Sequence, residues 1–571
     1  MVKGKKGKKK TYVITAAQGI QNPYSARMYG RETSKGAPNK PLIRNIESYV
    51  EANNAELQIH SINGANCNEI ELHPFFEDRD DVYVDIDAKK RNLQNRVKEK
   101  ARREGWRERK RKWSFIQKVK AEKEKIKILK TTYGKEWEKH LDEKDSFETM
   151  SVKFSDFPYN MPMHYFWEKI PDNDRSLIGK RLNSNISTPT KISLIPQSKY
   201  PFTSMNFLTK RYGGNSVILA SPKRMMKPVA KGASGKYPHM LMTTGVCTKP
   251  NYNLGKMGIA ATEDHSYGFA VVNVLDDKIY LARMVPAQAN GTFVDLGIKY
   301  TKGKAPERAK VSALEIADSH FMDINPKIDA VNMEMMEYLR PGATFFNDVF
   351  AAAAVNIHNM KSPIIQSRLF RDECSSLEKE LVLTGEYIER NAKLAKQWSG
   401  DIFIKWSNHD DMLYRWLDGE GYRNDKENSF IAHKILAEDP DRGDCFEKAV
   451  KLFYDIPENV RFLKPGEDVF REGYLFSAHG HQGVNGSRGS LKGLEDTYKK
   501  VIIGHGHKLE VIKDAISVGT STHIPLDYQL GNPSTSMAGN AVVYEGGLAQ
   551  AIPIIKSRWA PDNVLDFLEK N

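Results

Sequence analysis

Five short clusters of polar residues stand in order along this chain: Asp318-Ser319-His320, Asn347-Asp348, Asn408-His409-Asp410, His479-Gly480-His481 and Gly504-His505-Gly506-His507. Each closes a short, mainly apolar run, at residues 314–317, 343–346, 402–404, 474–476 and 501–503. Runs of that length bounded by turn residues read as buried strands. Carboxylate, amide and imidazole groups are thus delivered at the ends of successive strands, where α/β folds place their sites. Hard oxygen donors mixed with imidazoles suit a pair of divalent ions such as manganese, iron or zinc. The chemistry such a pair serves follows from charge. A phosphodiester is an anion and repels hydroxide. Two cations about 3.5–4 Å apart bind its oxygens, acidify a water and stabilise an in-line displacement.

On these clusters the chain resembles the calcineurin-like metallophosphoesterases, a superfamily that includes the SbcD-type DNA exonucleases. The resemblance runs from about residue 310 to 545. It implies that Asp318, His320 and His507 bind a first metal, that Asp348 bridges both metals, and that Asn408, His479 and His505 bind the second. It implies that His409 is the catalytic histidine, a general acid at the leaving oxygen. His481 is left open between a supporting group and a substitute ligand. The metals implied are two divalent ions, manganese first, with magnesium, iron or zinc as alternatives.

Two positions depart from the superfamily pattern. Glycine usually precedes the bridging Asp and the Asn-His pair; here those places hold Asn347 and Ser407. Asn tolerates the left-handed backbone region fairly well and Ser less well. The loop from His479 to Ser490, the stretch 407–417 and the segment 242–252 resemble a phage-encoded branch linked to host takeover and degradation of host DNA. In that loop Arg488 offers a planar fork of donors for a phosphate, or is simply a surface arginine.

The chain has 571 residues and is 40% hydrophobic, enough for two to four packed domains. It has no apolar run of about 18 residues, so no membrane span is expected. The lysine-rich start has no apolar stretch behind it and does not read as a secretory signal. Cys67, Cys247, Cys374 and Cys445 lie far apart, which suits ordinary buried thiols in a reducing cytoplasm.

Charge is unevenly spread. Residues 89–130 hold nineteen Lys or Arg against five Glu, a net of +14, equal to that of the whole chain. Six more lysines fall in the first ten residues, so the remainder is slightly acidic. With no Pro and one Gly, 89–130 reads as helix, its charge interrupted by Trp106, Trp113, Phe115 and Ile116. Such a segment can lie along phosphates, with Arg107, Arg109, Lys110, Arg111, Lys112 and Trp113 as contacts. The plainer reading is a solvated charged helix.

The expected fold is α/β: a two-sheet αββα sandwich of the metallophosphoesterase kind at 310–571, preceded by a smaller α/β or β-rich region with the basic helical insertion. The expected divisions are a basic arm (1–10), a small α/β unit (11–88), the basic segment and a connector (89–170), and a second α/β or β-rich domain (171–309). Strands are expected at 11–17, 57–60, 192–195, 216–219 and 268–272, and helices at 42–53 and 372–396. Residues 519–547 are expected to close the second sheet. His239 and His265, without ligand-spaced partners, read as structural.

The function expected from the resemblance is a metal-dependent DNase of a phage, acting in the host cytoplasm on host DNA. A phosphatase or cyclic-nucleotide phosphodiesterase with the same site is the alternative. A non-enzymatic factor binding DNA or a host protein is another. Expected partners are DNA, with host proteins or a second copy of the chain as possibilities, and no membrane.

Overall fold

The structure, a computed structural model, describes residues 9–18, 39–62, 81–85, 149–153, 182–187, 216–219, 221–230, 237–250, 262–356, 362–526 and 529–570. The basic stretch 89–130, the run 192–195, Cys67 and the first eight residues lie outside these. Among the described residues the chain is mixed α/β, with three mixed sheets and a two-stranded ribbon that pairs Asp81–Asp85 with Thr149–Lys153.

The site is organised by a six-stranded sheet. Its strands run in the order Val460–Phe462, Asp401–Ile404, Ala343–Phe346, Val311–Ile316, Gly539–Tyr544 and Leu548–Pro553. The first four are mutually parallel, Gly539–Tyr544 runs against them, and Leu548–Pro553 runs against Gly539–Tyr544. Ala343–Phe346 is buried at every position, as a parallel strand covered on both faces must be. Alternation within the strands sorts two cores. Leu314, Ile316, Phe346, Ile402 and Ile404 pack with Val331, Met335, Leu381, Ile388 and Ala392 of the crossover helices. Ala313, Phe345, Phe403, Ala541 and Val543 face the other way, onto Phe476, Ile502 and Ile516. There the Phe345 ring stacks between Phe403 and Phe476, at 4.7 and 4.4 Å between ring centres.

Those last partners belong to a nine-stranded sheet, ordered Phe470–Arg471, Tyr474–Leu475, Val501–Ile503, Ala515–Ser517, Glu510–Ile512, Met225–Val229, His239–Thr243, Ser216–Leu219 and Ile186–Ser187. Its outer face carries the Leu491–Tyr498 helix, whose Leu491 and Leu494 pack on Leu475, Val501 and Ile503. Backbone pairing in this sheet crosses residue 310: Val511 opposes Met226.

The third sheet has seven strands, ordered Glu307–Arg308, Ile298–Tyr300, Phe293–Asp295, Tyr280–Ala287, Tyr267–Val274, Lys10–Gln18 and Glu56–Ile62. The strand Lys10–Gln18 and the parallel strand Glu56–Ile62, joined through the helix Lys40–Ala52, lie at one end of this sheet, where Lys10–Gln18 also pairs with Tyr267–Val274. Asn39 caps that helix by accepting from Leu42 N–H, and a proline follows in the first turn.

Two expectations are revised. Gly539–Tyr544 does not close the second sheet. It lies inside the six-stranded one, paired with Val311–Ile316 on one edge and Leu548–Pro553 on the other. It is buried along its whole length, which suits an interior strand. The helix expected from 372 begins at Leu377, because the Ser376 hydroxyl accepts from Lys379 N–H and starts it there. His265 is structural as expected: its Nε2 lies 3.0 Å from the Thr248 carbonyl, and burial pushes it down to about 4. Cys247, Cys374 and Cys445 are free thiols. Among the described residues, no helix is long and apolar enough to cross a membrane.

Candidate metal centre

All five clusters meet at one edge where the six- and nine-stranded sheets face each other. The chain leaves Val311–Ile316 through Ala317, whose N–H bonds to Asn540, and reaches Asp318. The next loop, after Ala343–Phe346, runs beside it. Ser319 N–H donates to the Asn347 carbonyl at 3.0 Å, His320 N–H to Asp348 at 2.6 Å and Phe321 N–H to Val349 at 3.0 Å. His320, Asp348, His505 and His507 all have left-handed backbones, with φ of 39°, 43°, 62° and 50°. That region costs a non-glycine residue on the order of 1 kcal/mol or more, and such strain gathers at functional sites. Gly504 is required by contact: a Cβ there would lie 2.1 Å from Asp318 Oδ1.

The donors fall into two groups that share Asp348. In the first, one ligand atom each from Asp318, His320, Asp348 and His507 lies within 4.8 Å of the others, a buried cluster that could hold a metal ion. His507 Nε2 is 3.2 Å from Asp318 Oδ2 and 3.1 Å from His320 Nε2. In the second, His479 Nε2 is 3.1 Å from Asp348 Oδ2 and 3.1 Å from Asn408 Oδ1. Asn408 Oδ1 is in turn 3.1 Å from His505 Nδ1. Every ligand position read from the sequence therefore falls in one group or the other.

The electrostatics suit a cation. Asp318 Oδ1 and Asp348 Oδ1 are buried without a hydrogen-bond donor, and a buried charge needs a partner. Burial works against ionising Asp348, yet His479, His409 and His320 around it hold it well below the carboxylate range. Asp318 is also lowered: burial opposes this, and the bond to His507 outweighs it. In return these carboxylates raise His479 and His507 despite their burial. Oxygen and imidazole donors gathered around two unsatisfied carboxylates fit hard or borderline divalent ions.

His409 stands differently. Its Nδ1 lies 2.7 Å from the Ala351 carbonyl, and its ring is 4.4 Å from that of His320. The carbonyl only accepts, so Nδ1 carries a proton and Nε2 remains for other partners. The loop bearing Ala351 is clamped by the buried Glu380, which accepts from Ala353 and Ala354 N–H at 3.0 and 3.2 Å. Burial pushes Glu380 up to about 7 against the pull of those bonds. Asn408 and His409 open the Asn408–Asp418 helix. Ser407 caps it, accepting from His409 N–H at 3.1 Å, while Asp410 accepts from Ser407 N–H at 2.9 Å. The backbone at Ser407 is extended, with φ −131°, so no glycine is needed.

Asp348, Asn408, His409, His505, His507 and Arg488 line one cleft of about 610 Å³. Arg488 thus shares the cleft with the ligands. His481 packs its ring on Trp406 at 4.9 Å, and neither of its nitrogens has a hydrogen bond. Arg107, Arg109, Lys110, Arg111, Lys112 and Trp113 lie outside the described residues. A larger groove of about 770 Å³ borders the Lys40–Ala52 helix, but its lysines are engaged in ion pairs, Lys9 with Asp562 and Lys10 with Glu56.

Sequence reading missed the groups beneath the ligands. Lys405 Nζ lies 2.5 Å from Glu315 Oε1, both fully buried. A glutamate inside the strand-like run 314–317 and a lysine directly after the run 402–404 were the available signal.

No family model matches the chain, and no solved structure matches it. The chain is similar to Protein A1 of Escherichia phage T5, at 23% identity over 382 residues, which are 64% of this chain and 67% of that protein. The chain is related to a phage-encoded protein. The stretch shared with the T5 protein is longer than the span from 310 to 545 that holds the five clusters.

Proposed function

We propose that this chain is a two-metal phosphodiesterase of the calcineurin-like kind, encoded by a phage and acting on DNA. The observation that carries the reading is the pair of donor groups meeting at Asp348, one through His320 and the other through His479. Divalent ions held there supply Lewis acidity to phosphate oxygens and a water acidic enough to attack at neutral pH. Asp348 sets the distance between the two groups. His409, anchored through Nδ1 on the Ala351 carbonyl, presents Nε2 to the departing oxygen and, when the ring carries a second proton there, gives that proton to it. Arg488, in the same cleft, can grip a phosphate oxygen away from the ligands. DNA is favoured over a small phosphate ester by the +14 carried by residues 89–130.

The test is to incubate the purified full chain with manganese and four substrates: linear DNA, circular DNA, bis-p-nitrophenyl phosphate and p-nitrophenyl phosphate. Hydrolysis of the diester and of DNA, abolished by chelator, is expected. Cleavage of the monoester alone would make it a phosphatase. Metal uptake with no turnover of any substrate would point to a binding factor.

A further inference from the structure

Asn347 stands where the superfamily this chain resembles has glycine, and its side chain is fully buried. Its Nδ2 donates to Glu315 Oε1 at 2.6 Å and to the Ile316 carbonyl at 3.0 Å. A carbonyl can only accept, and the Glu315 oxygen already accepts from Lys405 Nζ. The amide is therefore fixed in one orientation by its neighbours. Its Oδ1 is turned to His479 Nδ1, at 3.1 Å. That oxygen also only accepts, so the bond requires a hydrogen on Nδ1. The other ring nitrogen, Nε2, faces Asp348 Oδ2 and Asn408 Oδ1.

The pair behind Asn347 is costly. Glu315 and Lys405 have no exposure to water, and burial pushes Glu315 up to about 7 and Lys405 down. Desolvation of such a pair commonly offsets the attraction it gains, so stability alone is a weak reason for it. Its geometry supplies another. Lys405 also donates to the Ile502 carbonyl at 3.1 Å. The chain of bonds thus crosses from the six-stranded to the nine-stranded sheet directly under the ligands.

We propose that Asn347, oriented by the buried Glu315–Lys405 pair, is a positioning residue that holds His479 with a proton on Nδ1, so that Nε2, facing Asp348 and Asn408, is the nitrogen left to bind a cation. A bare imidazole nitrogen is the form that binds a cation, and the group bonded to the other nitrogen decides which one is bare. The inference rests on His479 being a ligand of the second metal. It assigns Asn347 a task that glycine cannot perform.

Manganese titration by calorimetry on the full chain tests it, comparing wild type with Asn347→Leu, which keeps the branched shape without hydrogen bonds. The second ion should bind about 10–100-fold more weakly in the variant, with the first ion unchanged. Excess manganese should then restore most of the lost diesterase rate, which a merely misfolded site would not allow. Should the variant fail to fold, ¹⁵N-histidine spectra of the zinc-loaded wild type decide. His479 must appear protonated on Nδ1 and bound through Nε2. Unchanged affinity for the second ion in Asn347→Leu, or a His479 bound through Nδ1, overturns the proposal. A wild type that takes up no second ion defeats the two-metal reading itself, and this assignment with it.

Discussion

Asp348 is the residue on which both donor groups depend, since its Oδ2 lies 3.1 Å from His479 and 3.6 Å from His320. Asp348→Ala should therefore lower manganese content towards one ion or none per chain, read by elemental analysis of the purified protein. Two tightly held ions in that variant would remove Asp348 from its bridging place. His409 should behave in the opposite way. Its ring is held by the Ala351 carbonyl and packs on the ring of His320. His409→Ala should keep near-normal metal content while the diesterase rate falls by about 10²–10⁴-fold, the span for losing a general acid. Coupled loss of metal would make it a ligand instead. At this scale the sequence is informative because five clusters of Asp, Asn and His follow apolar runs in order, where any one alone would read as a turn or cap. Glu315 is harder to see. It sits inside such a run, and only the fold reveals that Asn347 and Lys405 converge on it.

At the scale of elements, the five runs before the clusters are strands, because short apolar stretches ended by turn residues have few other ways to bury themselves. The sheet a strand joins is less legible. Gly539–Tyr544 pairs with Val311–Ile316 across more than 200 residues of chain, and no local pattern encodes a partner so distant. The substitution of glycine by Ser407 is explained by its element. Ser407 and Asp410 form a reciprocal cap at the start of the Asn408–Asp418 helix, which carries Asn408 and His409 into the site. Ser407→Ala should cost about 1 kcal/mol in denaturant unfolding, whereas Ser407→Gly should cost only about a few tenths. Equal losses for the two variants would show that the hydroxyl does not act as the cap.

At the scale of the molecule, the seven-stranded sheet is tied to the six-stranded one through buried polar groups. Arg283 holds Asp295 through two bonds of 2.7 Å, and Gln550 donates to the same carboxylate at 2.8 Å. Arg283→Met would leave Asp295 buried without its cation, at a cost of about 3–5 kcal/mol in unfolding experiments. A loss well under 1 kcal/mol would show the network to be dispensable. Burial resists ionising Asp295, but Arg283 holds it below the carboxylate range. Its contribution is present above the unfolded value of about 4 and lost as pH falls through the lower folded value. Arg283→Met should thus flatten the acid limb of the stability curve. Long-range charge is the other property of the whole chain. The net charge of +14 is matched by residues 89–130 alone, so the rest, including the site, must approach DNA with little net attraction. If that stretch grips phosphates, reversing Lys110, Arg111 and Lys112 to Glu should weaken DNA binding. It should also flatten the log–log salt dependence by about 0.9 for each phosphate no longer neutralised on duplex DNA. Hydrolysis of bis-p-nitrophenyl phosphate should hardly change, because that substrate needs only the metal centre and His409. A triple variant with an unaltered salt slope would leave the segment a solvated surface. One that also loses the small diester would mean that the segment supports the fold.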